Sequence, residues 1–209
     1  IGLVGSEMCI RDRTYSLAWA NLAQVFSVTG QLDKAQKSFT NILKMEPKNG
    51  LIWAEYGTVL TKLANYEAGK DAYLKAIEFK PNSPRVHLSL GHVYKTIGDI
   101  DNSIESYKKT ISYNEKSGEA YWSLANLKTY SFEDKEIRDM EEKLNSGIPD
   151  IEKSQMHFAL GKAYEVRKDF DNSFLNYFAG NKVKKNLIKY YSKDTTENTK
   201  KILDFFSKE

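Results

Sequence analysis

Hydrophobic positions along this chain recur with a period of 34 residues. One large residue anchors each period, and these anchors are Trp19, Trp53, His87 and Tyr121. Four residues after each anchor the residue is small, as in Ala23, Gly57, Gly91 and Ala125. Twenty residues after the first three anchors the residue is aromatic, as in Phe39, Tyr73 and Tyr107. Because the spacings near each anchor are those of one helix face, the residues after each anchor are expected to form a helix.

Helix-breaking residues divide each period in two. Gly30 and Gly98 stand where the first helix of a period should end, since glycine readily adopts the left-handed conformation that stops a helix. Pro47 and Pro81 break the second helix, because proline cannot donate the backbone hydrogen bond that continues it. The expected element is therefore a helical hairpin repeated along the chain.

The small and aromatic columns have a packing explanation. Small residues such as Gly57 and Ala35 allow two helix backbones to approach closely, while Phe39 and Tyr73 fill the adjoining space. A bulky side chain at Gly91 should overpack this contact, at a cost of roughly 1–3 kcal/mol.

These columns resemble the tetratricopeptide repeat (TPR), which has a period of ~34 residues. The resemblance implies an all-α fold, a right-handed superhelix of antiparallel helix pairs, in which each repeat covers the apolar face of its neighbour. Residues 14–117 provide three regular repeats of this kind.

The pattern becomes irregular after these three repeats. We expect an irregular fourth helix pair, a fifth TPR-like repeat and a closing helix, at residues 118–153, 154–193 and 194–209. In the fourth pair Lys128 replaces an apolar residue, and SFED (residues 131–134) predicts a capping box that starts its second helix. The closing helix carries an apolar stripe formed by Ile202, Leu203, Phe205 and Phe206.

The later part of the chain suggests a narrower family. YWSLANLKTYSF (residues 121–132) and DFDNSFLNYFAGNKVKK (residues 169–185) look like the TPR region of bacterial TPR–sulfotransferase proteins. The resemblance covers residues 118–209 in detail and implies that a sulfotransferase domain follows the last helix in the parent protein. The sequence itself has no strand, glycine-rich loop and helix able to hold a phosphate on backbone N–H groups. The alternative function is thus the N-terminal TPR part of a sulfotransferase, with the catalytic domain truncated.

Residues 1–13 do not continue the helical pattern. Their segment VGSEMCIRD resembles the translated adapter of transposon-based sequencing libraries, so we treat residues 1–13 as an artefact and expect the native N-terminus to be missing. The only cysteine, Cys9, lies in this segment. The segment lacks the apolar run of a secretory signal.

Composition and motifs favour a soluble, non-catalytic fragment. The net charge is +3, and 28% of residues are charged, with lysines and acids interleaved as on a solvated helix surface. We find no catalytic or phosphate-binding motif and no apolar run long enough to cross a membrane. His87 and His92 are five residues apart and so do not share a helix face as metal ligands would. We expect no cofactor and no metal, and a cytoplasmic location by default.

The concave surface is the remaining candidate site. In TPR stacks the first helix of each repeat lines this surface, which predicts a polar wall that holds a peptide or a partner domain. The predicted contact residues are Gln24, Thr58, Thr61, His92, Lys95, Trp122, Asn126 and Lys162. The carboxylate clamp of chaperone-tail-binding TPR proteins is disfavoured, because Ala20 and Gln24 stand where its lysine and asparagine would be.

A basic patch near the C-terminus offers a second candidate surface. It is formed by Lys182, Lys184, Lys185 and Lys189. It suits an acidic partner or a following catalytic domain of the same parent chain. Nucleic acid, which would give strongly salt-dependent binding, is the less favoured partner.

Overall fold

The computed structural model describes residue 16, residues 18–188 and residues 192–207, and all regular elements within that part are α-helices. The predicted all-α fold is therefore confirmed. The first helix, α1, covers residues 18–28. The others are α2 (Leu32–Met45), α3 (Gly50–Lys62), α4 (Tyr66–Phe79), α5 (Pro84–Ile97), α6 (Ile100–Tyr113), α7 (Gly118–Ala125), α8 (Asp134–Leu144), α9 (Asp150–Val166), α10 (Phe170–Leu187) and α11 (Ser192–Phe206).

The chain divides into two compact units, residues 1–120 and residues 121–209. In the N-terminal unit the helices pair as α1 with α2, α3 with α4 and α5 with α6, one pair for each predicted period. In the C-terminal unit α9 and α10 form a longer pair, and α8 packs against α9. The region predicted as an irregular pair, residues 118–153, contains two short helices, α7 with eight residues and α8 with eleven.

A glycine at the crossing of two paired helices makes the close contact that the small column predicts. A Cβ atom placed on Gly91 of α5 would lie 2.5 Å from Cε1 of Tyr107 on α6. Ser103, one turn before Tyr107, donates a hydrogen bond from Oγ to the Gly91 carbonyl oxygen at 2.9 Å. The ring and the hydroxyl thus contact the same residue of the partner helix, and the ring leaves room only for glycine there.

The same contact recurs in the second repeat and in the pair of α9 and α10. A Cβ atom on Gly57 or on Gly161 would lie 2.9 Å from the ring of Tyr73 or of Tyr177, respectively. Ser173 donates to the Gly161 carbonyl oxygen at 2.8 Å, as Ser103 does to Gly91. The packing explanation of the small and aromatic columns is therefore confirmed.

Anchor residues join each repeat to the connection before it. Trp53 donates a hydrogen bond from Nε1 to the Pro47 carbonyl oxygen at 2.8 Å. His87 Nε2 lies 2.9 Å from the Pro81 carbonyl oxygen. Because a carbonyl only accepts, Nε2 of His87 carries the proton. The tryptophan and the buried histidine therefore donate equivalent hydrogen bonds from equivalent positions, which explains how both serve as anchors.

Left-handed residues end the first helix of each regular pair. Gly30 and Gly98 have φ of +77° and +86°, which confirms the turn predicted at both glycines. Ala64 and Lys168 adopt the same conformation with φ of +60° and +61°, although their Cβ atoms disfavour it. The turn geometry is thus retained where the sequence supplies no glycine.

The start of α8 differs in detail from the prediction. The helix begins at Asp134, but the residue that caps it is Glu133 rather than Ser131. Glu136 reaches back and accepts a hydrogen bond from the Glu133 backbone N–H at 2.9 Å. The capping box is therefore formed by two glutamates, shifted by two residues along the chain.

Helix α11 has the predicted apolar stripe, but the stripe is not buried. Its four apolar residues are between 57% and 73% exposed, namely Ile202, Leu203, Phe205 and Phe206. No helix in the described part of the chain is long and apolar enough to span a membrane.

We predict that Gly91→Ala destabilises the N-terminal unit by about 1–3 kcal/mol, because the new methyl group overlaps the Tyr107 ring. Glycine-to-alanine changes otherwise favour helices, so a loss of stability isolates the steric contact. The urea midpoint of unfolding, followed by circular dichroism, measures it. The double variant with Tyr107→Leu serves as the control, since removing the ring should recover part of the loss. An additive double variant would contradict the assignment.

Candidate functional site

Three predicted contact residues meet in one pocket of the N-terminal unit. Thr58 and Thr61 on α3 and His92 on α5 line a cavity of about 310 Å³. The other lining residues are Tyr66, Tyr73, Arg85, Ser89, Val93 and Thr96. The pocket therefore lies between two successive repeats, with its floor provided by the second helix of the earlier one.

Tyrosine hydroxyls connect the buried helix crossings to this pocket. The Tyr73 ring lies against Gly57, and its hydroxyl lies 3.1 Å from Oγ1 of Thr58. One repeat later, the hydroxyl of Tyr107 lies 2.9 Å from Nδ1 of His92. Each ring is thus part of the core at one end and positions a pocket side chain at the other.

His92 is held from both sides of its ring. Nε2 faces Oε1 of Glu119 at 3.4 Å, while Nδ1 faces the Tyr107 hydroxyl. A carboxylate only accepts, so Nε2 is the donor, and in the neutral ring Nδ1 accepts from Tyr107. The hydrogen bond from His92 lowers the pKa of Glu119, against the opposing effect of its partial burial. These contacts fix the orientation of the imidazole.

The charged side chains at the pocket have partners of opposite charge or hydrogen-bond partners, so the pocket is polar without a strong net charge. The Arg85 guanidinium pairs with the carboxylate of Glu55, and Glu119 faces His92. Three threonine hydroxyls lie within hydrogen-bond distance of carbonyl oxygens of their own helices, those of Thr58, Thr61 and Thr96. When a hydroxyl donates in this way its oxygen can still accept, so the pocket combines acceptors with the donors of Arg85.

The other predicted residues of the N-terminal unit do not line this pocket. Gln24 on α1 and Lys95 on α5 are exposed. Phe39 occupies the aromatic column of the first pair and has no hydroxyl, so it offers Gln24 no contact like that between Tyr73 and Thr58.

In the C-terminal unit the predicted residues have separate partners. Trp122 packs against Phe158 with ring centroids 5.5 Å apart. The Asn126 side chain, directly after α7, donates to the Trp122 carbonyl oxygen of that helix at 2.8 Å. Lys162 pairs with Glu165 at 2.9 Å. Phe158 was not predicted, although it directly follows His157 as Trp122 directly follows the anchor Tyr121.

The predicted basic patch lies on the last turns of α10. Lys182, Lys184 and Lys185 are exposed there, while Lys189 lies outside the described residues. The Lys184 ammonium is 5.6 Å from the centroid of the Phe158 ring, within the range of a cation–π contact. The patch therefore adjoins the aromatic pair of Trp122 and Phe158.

Comparison with known proteins explains the period. The family model of the tetratricopeptide repeat matches residues 17–49, 51–83 and 84–117. Residues 17–117 are three tetratricopeptide repeats. Comparison with curated proteins gives no match.

Solved TPR structures share the fold. A crystal structure of MamA is 18% identical, with a TM-score of 0.63 over 80% of this chain and 97% of that one. MamA from Desulfovibrio magneticus RS-1, from residue 41 onward, is 15% identical, with a TM-score of 0.62 over 82% and 96%. YrrB, described as a TPR protein with an unusual peptide-binding site, is 15% identical, with a TM-score of 0.61 over 85% and 91%. At these identities the likeness shows the fold alone.

Sequence reasoning missed part of the TPR pocket. Arg85, Tyr66 and Ser89 line it, although none belongs to the columns selected for the groove. A usable signal was present in the aromatic column. Tyrosine at Tyr73 and Tyr107, in place of phenylalanine, indicates that the far end of each ring meets a polar group.

The environment of Tyr177 makes the stability of the folded chain fall at alkaline pH. Burial first, and then the hydrogen bond to Glu165, raise the pKa of Tyr177 to about 12. The bond from Lys162 and then that from Tyr177 lower the pKa of Glu165. An unfolded tyrosine loses its proton near pH ~10. Between these values the folded chain binds more protons than the unfolded one, so stability falls as the pH rises.

We predict that Tyr177→Phe reduces this alkaline fall in stability. The urea midpoint, measured at several values between about pH 9 and about pH 12, should fall less steeply in the variant because one titrating group is gone. Tyr113→Phe, on the exposed end of α6, is the control and should keep the parental slope. Equal slopes in the parent and in Tyr177→Phe would rule out the coupling.

Proposed function

We propose that this chain is a protein-interaction scaffold whose TPR helices bind an extended peptide segment of a partner protein. The observation that carries the proposal is the convergence of Thr58, Thr61 and His92 in one preformed pocket between successive repeats. The chain's part in this function is binding and not catalysis.

The chemistry of the pocket suits a peptide. Acceptor oxygens on Thr61 and Thr96 and donors on Arg85 match an amide, which offers one N–H and one carbonyl for pairing. The volume of about 310 Å³ is at the small end of the range for ligand sites, so we infer room for one or two side chains. His92, held by Tyr107 and Glu119, adds a fixed polar group.

A solved TPR protein supports this proposal by analogy. YrrB has the same fold and is described as having an unusual peptide-binding site. The remaining predicted contacts, Gln24, Lys95, Trp122, Asn126 and Lys162, stay part of the proposal as further peptide contacts, each within its own compact unit.

The sulfotransferase alternative rests on the resemblance of residues 118–209 alone. It treats the TPR helices as the part that presents a substrate, and the basic patch as the surface that meets a catalytic domain. Reading the gene downstream of the codon for Glu209 tests it, because a strand followed by a phosphate-binding loop is required. The default cytoplasmic location is a proposal of the same kind, which fractionation of the source cells would test.

We predict that Arg85→Ala and His92→Ala each weaken peptide binding by about 5- to 20-fold, the loss expected for about one or two hydrogen bonds. Peptides are first selected from a random display library on the parent protein, and their dissociation constants are then measured by fluorescence anisotropy. Lys109→Ala, on the exposed side of α6, is the matched control and should bind as the parent does.

Thermal melts of the variants separate folding from binding. Arg85 is an exposed residue, so Arg85→Ala should melt near the parental temperature. If the selected peptides bind both variants as tightly as the parent, the pocket is not the binding site.

A further inference from the structure

Two exposed apolar faces lie within the C-terminal unit. Phe170, Phe174 and Phe178 follow one another at intervals of four residues on α10 and are 60–68% exposed, with Leu175 beside them at 60%. The rings of Phe174 and Phe178 stack with centroids 6.2 Å apart, so they form one continuous surface. The second face is the apolar stripe of α11, which is exposed to a similar degree. Apolar patches of this kind mark interaction sites.

The two faces are matched in position along their helices. Helix α10 ends at Leu187 and α11 begins at Ser192, so an antiparallel pairing with these ends level places Phe205 beside Phe174. The same register places Ile202 level with Tyr177, one residue before Phe178. Both apolar faces therefore overlap along their length when α11 lies antiparallel on α10.

The connection before α11 is of the kind that precedes a paired helix. Four residues separate α10 from α11, as four separate α2 from α3 and α4 from α5. Ile188 leaves α10 in an extended conformation, with φ of −98° and ψ of 112°. Helix α11 is therefore built like the first helix of a further repeat, which would cover the helix before it.

We propose that the face of α10 is covered by α11 of a second copy of this chain, in a two-fold symmetric exchange. In this structure a chain's own α11 leaves the phenylalanines of α10 exposed, so the covering helix comes from elsewhere. A second copy supplies a helix of matching register, and reciprocal exchange buries both faces of both chains at once. The proposal does not depend on the peptide pocket, which lies in the other compact unit.

The area available is sufficient for a stable dimer. Each copy contributes eight large apolar side chains, four from each face, most of them more than half exposed. An aromatic side chain buries ~150–250 Å² when fully covered, so the two copies together bury roughly 1,500 Å². Stable interfaces bury about 1,200–2,000 Å².

The first experiment measures the mass of the full chain in solution by sedimentation equilibrium. We expect a dimer, and we expect Phe174→Asp and Phe206→Asp each to raise its dissociation constant at least about tenfold, because a charge would be buried in the apolar contact. Both positions are exposed in the monomer, so folding should be unaffected. Lys200→Asp, on the opposite side of α11, is the control and should dimerise as the parent does. A monomeric parent, or growth beyond a dimer, would refute the proposal.

The second experiment identifies which chain supplies the helix. Phe174→Cys and Phe205→Cys are made separately in a Cys9→Ser background, mixed, and oxidised under mild conditions. We expect disulfide-linked heterodimers, because α11 of one chain lies on α10 of the other. If the mixture gives no heterodimer while a chain carrying both cysteines forms an internal disulfide, α11 folds back on its own chain and the exchange is wrong.

Discussion

The fold depends on the close approach of two helix backbones at a glycine. At Gly91 the partner helix contributes the Tyr107 ring and the Ser103 hydroxyl to the same residue, and the ring leaves no space for a Cβ atom. Dispersion contacts are strongest at such short separations, and the paired backbones exclude water from the hydrogen bond. Helices held in this way form hairpins that remain too small to bury both faces. Each TPR hairpin therefore requires a neighbour, and stability accumulates from one repeat to the next.

The same contact fixes side chains of the pocket between the second and third repeats. The tyrosine that covers the glycine ends in a hydroxyl, and this hydroxyl meets Thr58 in one repeat and His92 in the next. A ligand in the pocket therefore meets side chains whose orientation is set before binding. Preorganisation of this kind reduces the entropy lost on association, so a shallow polar pocket can bind with useful affinity.

The period carried most of the information about the fold. The same packing contact occurs in several repeats of 34 residues. Contacts between columns, such as that of Gly57 with Tyr73, were therefore predictable from the sequence. Local detail was harder to predict. At α8 the sequence predicted a capping box that starts at Ser131, whereas the cap is Glu133, and the position of the cap depends on how the preceding loop packs, which no periodic pattern records.

The candidate site was only partly predictable for a related reason. Thr58 and His92 repeat with the period and were found, whereas Arg85 reaches the pocket from the start of α5 and belongs to one repeat alone. A residue that occurs in only one repeat forms no column, so a periodic pattern cannot reveal it. The pattern also cannot show whether an apolar residue is buried. The stripe on α11 is well formed and is nevertheless exposed.

The phenylalanine at position 39 has a consequence for engineering. In the second and third repeats, Thr58 and His92 each contact the hydroxyl of a tyrosine whose ring is buried. Changing either residue therefore alters specificity and stability together. In the first repeat Phe39 is buried and has no hydroxyl, and Gln24 is exposed. Position 24 is therefore the predicted contact position at which a substitution carries the least penalty to the scaffold.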